Sequence, residues 1–237
     1  MSNILLTVGF DDLKLRAEAE QLATKLELQL NNDYLPRLSL GNDKLQLLSH
    51  DFLPIAADFN ASRWQKRRDA GKKQGLIRAC KPKEGVFIID ATAGWGRDSA
   101  ILASFGARIL MLERNKILAA LLDDALQRRE SNTLDLSLQH VDAKDYIQAL
   151  NADDYPDIIY IDPMHPVRNK NALVKKDMQI LQNFLGPDED ARELIDISIS
   201  RARQRVVVKW PQHLNPLIKP QLSITGKTVR FDVYLLR

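Results

Sequence analysis

From Lys83 to the carboxyl end, short apolar runs alternate with stretches of helical length, and that alternation leaves few folds open. Residues 86–89, Val-Phe-Ile-Ile, have no polar break, as a parallel strand buried on both faces requires. The glycine-bearing loop from Ala91 to Arg97 leads into a helix reaching Phe105. Residues 108–112 form a second strand, after which Asn115 caps a helix carrying Leu118, Leu121, Leu122 and Ala125. Residues 136–141 and 157–161 are the third and fourth strands. Helical stretches at 172–183 and 187–203 precede a fifth strand at 205–209. Strands at 221–225 and 228–235 join through Gly226-Lys227 into a hairpin, which makes a carboxyl-terminal strand antiparallel. The expected fold class is α/β: an open, mostly parallel seven-stranded sheet with helices on both faces.

Residues 1–62 read as a small α+β accessory portion, and residues 63–237 as the main domain. Ile4 to Val8 suit a strand. Leu15, Ala19, Leu22 and Leu26 fall on one helical face that begins near Asp11 or Asp12. Leu38 and Leu40, then Leu45 and Leu47, alternate around Gly41-Asn42-Asp43 as a hairpin would. The 237 residues contain no apolar run near the ~20 residues of a membrane span, and no basic start followed by an apolar stretch. The single cysteine, Cys80, excludes an internal disulfide framework and a cysteine metal cluster. A cytoplasmic protein with no metal and no membrane partner is expected.

Charge is segregated. The net charge is +3, yet the leading segment 63–83 holds nine basic residues and one acid, Asp69, for a net +8. The remainder therefore carries −5. A second block, 201–230, has seven basic residues and no acid. Blocks of one sign form a solvated face or a surface that meets phosphate.

In open α/β sheets ligands bind beyond the carboxyl ends of the strands. Asp90-Ala-Thr-Ala-Gly94-Trp-Gly96-Arg97-Asp98 follows the first strand. Glu113 ends the second, where a carboxylate can accept from both hydroxyls of an adenosine ribose. Asp142 ends the third, within reach of an adenine amine. The loop lacks the third glycine of a dinucleotide site, and its acids would repel a diphosphate. They suit a ligand carrying a sulfonium and an ammonium, as S-adenosylmethionine does. Asp162-Pro163-Met164-His165-Pro166 follows the fourth strand. The Asp162 carboxylate and the Pro163 carbonyl are two neighbouring acceptors that can grip an exocyclic amine and aim its nitrogen at the methyl group. Met164 or His165 can cover a base face.

Residues 90–98, Met-Leu-Glu-Arg-Asn (111–115), Asp-Pro-Met-His-Pro (162–166), Ala-Leu-Val-Lys-Lys-Asp-Met (172–178) and Val-Val-Val-Lys-Trp-Pro (206–211) together resemble the bacterial small-subunit (16S) ribosomal RNA guanine-N2 methyltransferase family. The likeness runs in order from about Arg63 to Val233. It implies a Rossmann-like class I methyltransferase core that uses S-adenosylmethionine and acts on the ribosomal RNA or the 30S subunit. Cofactor contacts implied by the resemblance fall on Arg97, Asp98, Glu113, Arg114, Asp142, Ala143 and Asp162, beside Asp90, Gly94 and Gly96 read from the loop. Asp162, Pro163 and His165 are the candidate catalytic group. Three positions depart from the family pattern. Asp142-Ala143 replaces two serines, His165 an aromatic, and Trp210 an arginine that would contact phosphate. The bases expected to hold RNA are Arg63, Lys66, Arg67, Arg68, Lys72, Lys73, Lys175 and Lys176, with Lys170 and Arg205.

Other readings stay open at this point. An adenine-N6 or protein-glutamine methyltransferase of the same class would use the same loop and turn. A non-catalytic RNA-binding assembly factor would keep the fold without turnover, and a nicotinamide oxidoreductase would prefer NAD.

Overall fold

The computed structural model describes residues 6–50, 53–129, 134–164 and 190–236, with the backbone alone at Lys72. Two sheets organise them. In the smaller, β1 (Thr7–Phe10) lies parallel to both β2 (Gln29–Leu30) and β3 (Arg37–Leu40), and β4 (Leu45–Leu48) closes an antiparallel hairpin with β3, in the order β2-β1-β3-β4. Helix α1 (Arg16–Leu26) connects β1 to β2 and buries Ala19, Ala23 and Leu26. The hairpin around Gly41–Asp43 is as the alternation predicts. The first helix starts later than its apolar spacing suggests, because Asp12 caps a separate 3-10 turn at Leu13–Leu15 by accepting the Lys14 N–H at 3.0 Å. The expected strand from Ile4 begins outside the described residues and continues only through β1. Strand β2 went unanticipated: two residues, one of them exposed, leave no periodicity to read.

The larger sheet contains β5 (Phe87–Asp90), β6 (Arg108–Glu113), β7 (Leu136–His140), β8 (Ile158–Ile161), β9 (Arg205–Pro211), β10 (Leu222–Thr225) and β11 (Val229–Leu235). Their order is β10-β11-β9-β8-β5-β6-β7, parallel from β9 to β7, with β11 antiparallel to both β9 and β10. The chain runs outward from β5 through β6 to β7, then returns to β8 on the other side of β5. A crevice therefore opens at the carboxyl ends of β5 and β8.

The apolar runs of the central strands split by parity onto the two faces. Ile88, Ile158, Tyr160 and Val207 belong to one core cluster, while Ile89, Ile159, Ile161, Val206 and Val208 belong to the other. Against the first face lie α3 (Gly75–Cys80), α4 (Arg97–Ala103) and α5 (Lys116–Arg128); against the second lie α6 (Ala143–Gln148) and α7 (Ala191–Ile199). Asn115 caps α5 as expected, accepting from the N–H groups of Ile117 and Leu118 at 2.9 and 3.1 Å. The first cluster continues without a break into the small sheet through Phe59, Leu45 and Val8. The expected helix at 172–183 falls outside the described residues, and α7 occupies part of the 187–203 stretch. Among the described residues no helix is long and apolar enough to cross a membrane.

The leading basic segment supplies α2 (Ala61–Asp69). Trp64 turns inward, its indole N–H donating to the Phe59 carbonyl at 2.9 Å, while Lys66 and Arg68 stand exposed. The four arginines of the second basic block bond within the fold. Arg201 donates to the Tyr155 hydroxyl, Arg203 to the Asp153 carbonyl and Arg205 to the Ala79 carbonyl, and Arg230 pairs with Asp232 at 2.9 Å. Arg205, expected to contact phosphate, is half-buried and ties β9 to α3 instead. Trp210 is buried in the second core cluster, its indole N–H donating to the Asn215 carbonyl at 2.9 Å.

Candidate active site

Beyond the carboxyl ends of β5, β6 and β8 lies a cavity of about 1180 Å³. The same parity that divides the core decides what enters it. Asp90, two residues after Ile88, Asp162, two after Tyr160, and Lys209, two after Val207, all leave the sheet on the α4 side. Their strands are neighbours, so three charged groups from three strands converge.

The loop after β5 is held from within. Asp90 is 1% exposed, and its carboxylate accepts the Ser99 hydroxyl at 2.5 Å and the Thr92 N–H at 3.2 Å. Burial pushes its pKa up to about 7, although both hydrogen bonds oppose the rise. Asp90 thus ties the loop to α4 more than it offers a charge to a ligand. Gly94 and Gly96 both adopt left-handed backbone, with φ of +55° and +66°. They face different ways. A Cβ on Gly94 would meet only the Thr92 carbonyl, at 3.9 Å, and otherwise project into open space at the cavity wall. A Cβ on Gly96 would lie 2.7 Å from Phe59, on the core side. Gly96, expected to contact the cofactor, instead permits packing beneath the loop.

Glu113 is 6% exposed, and its two oxygens accept the Gly94 N–H at 3.0 Å and the Asn115 N–H at 2.8 Å. A carboxylate oxygen can accept more than one hydrogen bond. Asp142 caps α6, accepting the Lys144 N–H at 2.9 Å, and its other oxygen lies 3.9 Å from Arg114. Ala143, next in line, is buried and offers only its methyl side chain to the wall. Asp190 accepts from Arg114 at 3.3 Å and from Lys144 at 3.0 Å, which fastens the start of α7 beside this end of the cavity. Burial works against ionised Asp190, but Lys144 and Arg114 overrule it and lower its pKa.

Asp98, in the first turn of α4, is surrounded by donors. Its carboxylate accepts Arg67 at 2.9 Å, the Tyr160 hydroxyl at 2.7 Å and Lys209 at 3.1 Å. Burial alone would raise its pKa; the charges of Lys209 and Arg67 outweigh burial and hold it near 2. Lys209 donates also to Asp162 at 2.6 Å, and the Asp162 N–H donates to the Thr92 hydroxyl at 2.6 Å. Burial disfavours the ammonium, yet the two carboxylates raise the Lys209 pKa above its ordinary value. Burial, then the nearby charges of Asp98, Asp162 and Asp90, push the Tyr160 phenol well above the usual range.

The acids expected to attract a cation are therefore partly matched inside the fold. Arg67, expected among the RNA-holding bases, is Asp98's partner, and Arg63 pairs with Asp58 at 3.1 Å. Lys209, Tyr160 and Thr92 are not among the expected site residues, although Thr92 lies in the 90–98 motif and Lys209 in the 206–211 motif. Strand parity was the signal that could have found it. Arg97, Arg114 and Pro163 line the cavity where the sequence put them. His165, Lys170, Lys175 and Lys176 lie outside the described residues, as does the side chain of Lys72.

The donor set fits S-adenosylmethionine. Gly94 leaves room where a side chain would obstruct, Glu113 presents acceptors beside it, and Asp142 and Asp162 bracket the two ends of the cavity.

Comparison with known proteins identifies the family. Residues 21–236 match the family model of SAM-dependent methyltransferases, SAM_MT. The chain is 54% identical over 236 residues to the ribosomal RNA small subunit methyltransferase J of Legionella pneumophila (strain Lens), covering 98% of this chain and 97% of that protein. It is 39% identical over 250 residues to the protein of the same name from Nitrosococcus oceani, covering 96% and 97%. The crystal structure of a SAM-dependent methyltransferase from Neisseria gonorrhoeae superposes with a TM-score of 0.71 at 28% identity, over 97% of this chain and 95% of that one. A T. thermophilus 16S rRNA N2 methyltransferase, solved with AdoMet and guanosine, shares the fold with a TM-score of 0.50 and 16% identity, over 82% of this chain and 47% of that one. The chain belongs to the SAM-dependent methyltransferase family in which its full-length relatives carry the name ribosomal RNA small subunit methyltransferase J.

Proposed function

We propose that this enzyme transfers the methyl group of S-adenosylmethionine to the exocyclic N2 amine of one guanosine in small-subunit ribosomal RNA. The observation that carries the reading is Asp162. Its carboxylate stands at the end of β8, held by Lys209 on one side and by Thr92 through its backbone on the other, and faces the cavity shared with Glu113. The names of the relatives at 54% and 39% identity support an RNA of the small subunit as substrate.

S-adenosylmethionine supplies an electrophilic methyl group on a sulfonium. Glu113 would accept from its ribose hydroxyls and Asp142 from its adenine amine, while Gly94, Arg97 and Arg114 line the cavity around them. Asp162 and the Pro163 carbonyl accept the two N2 hydrogens and turn the nitrogen lone pair toward the methyl. Such alignment is worth up to about 7–11 kcal/mol in well-oriented intramolecular reactions. No strong base is required, because the proton leaves once the nitrogen is alkylated. The guanine must be splayed from its stack to reach the cavity, and His165 is assigned to cover the base from its place in the Asp-Pro-Met-His-Pro motif. Lys66, Arg68, Lys72, Lys73, Lys175 and Lys176 hold phosphates outside, and residues 1–62 serve as an accessory portion against α5. A ribosomal substrate brings with it a cytoplasmic location.

Nucleoside mass spectrometry of small-subunit RNA from a deletion strain tests the reading. One N2-methylguanosine disappears and returns when the purified enzyme and cofactor are added. Unchanged N2-methylguanosine with a lost N6-methyladenosine would replace the substrate.

A further inference from the structure

We infer that Lys209 is a positioning residue for the methyl acceptor: its ammonium ties Asp162 to Asp98, so that Asp162 meets the amine as a fixed, acceptor-only carboxylate.

A lysine in the interior of a sheet requires a reason. Val206, Val207 and Val208 are fully buried, and the strand resumes with buried Trp210. Between them Lys209 has a side chain 26% exposed and two carboxylates within 3.1 Å. Asp98 is itself immobilised from two further elements, by Arg67 of α2 and by the Tyr160 hydroxyl of β8. The order of support therefore runs from Arg67 and Tyr160 to Asp98, from Asp98 to Lys209, and from Lys209 to Asp162.

Among the described residues, the charged and titratable groups around it come from several elements. Asp90 lies beneath on β5, Asp98 and Arg97 on α4, Arg67 on α2, Tyr160 on β8 and Glu113 across the cavity. With Lys209 present, Asp162 is bonded to a cation. Without it, Asp162 loses the cation that stands between it and Asp98. Like charges held close together favour protonation of one member. A protonated carboxyl donates a hydrogen bond, whereas an amine that must present both hydrogens needs acceptors. Lys209 thus keeps the acceptor face available at neutral pH. The inference rests on Asp162 gripping the amine.

The test compares the full-length wild type with K209M, K209Q and K209R, using small subunits from a deletion strain as substrate. Product is followed as N2-methylguanosine from about pH 6 to 9, and cofactor affinity by calorimetry. Removal of a charged hydrogen bond predicts that K209M lowers kcat at neutral pH by about tenfold or more. Its activity then rises with pH along an acidic limb that the wild type lacks, with cofactor Kd within about threefold of wild type. K209Q, closer in shape, repeats the result should K209M not be recovered in soluble form. K209R restores most of kcat and the flat profile. Wild-type kcat and pH profile in K209M, or K209R no better than K209M, would overturn the inference, and so would parallel loss of cofactor binding in both neutral variants. A wild type that yields no N2-methylguanosine overturns the proposed reaction instead.

Discussion

The Phe59 ring occupies the space that a side chain on Gly96 would need: a Cβ there would sit 2.7 Å from its Cζ and 3.0 Å from Leu122. Phe59 is 2% exposed and comes from the segment just before α2, so the motif loop is shaped by a residue 37 positions upstream. G96A imposes left-handed backbone on a residue with a Cβ, at about 1–2 kcal/mol, and overpacks the contact by about 1–3 kcal/mol. Urea denaturation should show a combined loss of about 2–5 kcal/mol. F59L in the same background should recover part of it, because the shorter side chain vacates the ring position. Additive losses in the double variant would show that the contact is not responsible.

Glu113 links the loop to β6 while presenting acceptors to the cavity. E113Q removes the charge and replaces one accepting oxygen with a donor, opposing the Gly94 or Asn115 N–H. A hydrogen bond to a charged group is worth about 1.5–3 kcal/mol, which corresponds to roughly a 10- to 100-fold rise in cofactor Kd. Calorimetry measures this directly, and a Kd within twofold would remove Glu113 from the binding set.

Asp90 gives a pH dependence of definite sign. Its folded pKa of about 7 lies above the 3.8 of an ordinary aspartate, with burial the leading cause. Between those values the native state holds a proton that the unfolded chain has released. This contribution to stability therefore falls as pH rises from about 4 to 7. Asp98 acts in the opposite sense, but its titration is complete below that window. D90N should compare more favourably with wild type near pH 8 than near pH 5, by on the order of 3 kcal/mol if the whole shift is realised. Equal differences at both pH values would place the proton elsewhere.

The frame of this site was legible because its determinants are local. Four apolar residues before Asp90 specify a buried strand, Asn115 reads as a cap, and Asp162-Pro163 reads as a rigid strand end. The ties between elements were not. Arg67 and Asp98 are 31 residues apart, and Lys209 and Asp162 are 47 apart. Charge counting along the chain assigned Arg67 to a basic face, yet its three-residue spacing from buried Trp64 carries it toward α4. The parallel pairing of β1 with both β2 and β3 was equally hidden, since short strands signal their existence poorly and their partners hardly at all.

Asp190 tests the far end of the cavity. D190N leaves Arg114 and Lys144 without their shared carboxylate, although Asp142 and Glu193 remain near them. The pairs are partly solvated, so the expected change is modest, about three- to tenfold in cofactor Kd at low salt. It should shrink toward unity as ionic strength rises, because screening weakens the same interaction in the wild type. A salt-independent effect would point to displaced backbone at α7 instead.

Lys66 and Arg68 separate RNA contact from site assembly. Both project from the exposed side of α2, whereas Arg63 and Arg67 of the same helix are engaged by Asp58 and Asp98. If the first pair meets phosphate, the variant K66E/R68E releases two counterion contacts, and the slope of log affinity against log salt should fall by roughly 1.4–1.8. Cofactor Kd should not change, since neither side chain lines the cavity. R67A should do the reverse, lowering kcat through Asp98 and Lys209 while shifting the salt slope by less than one contact. Filter binding of small-subunit RNA across a salt series distinguishes the two variants. Identical slopes for wild type and K66E/R68E would move the RNA path off this face of α2.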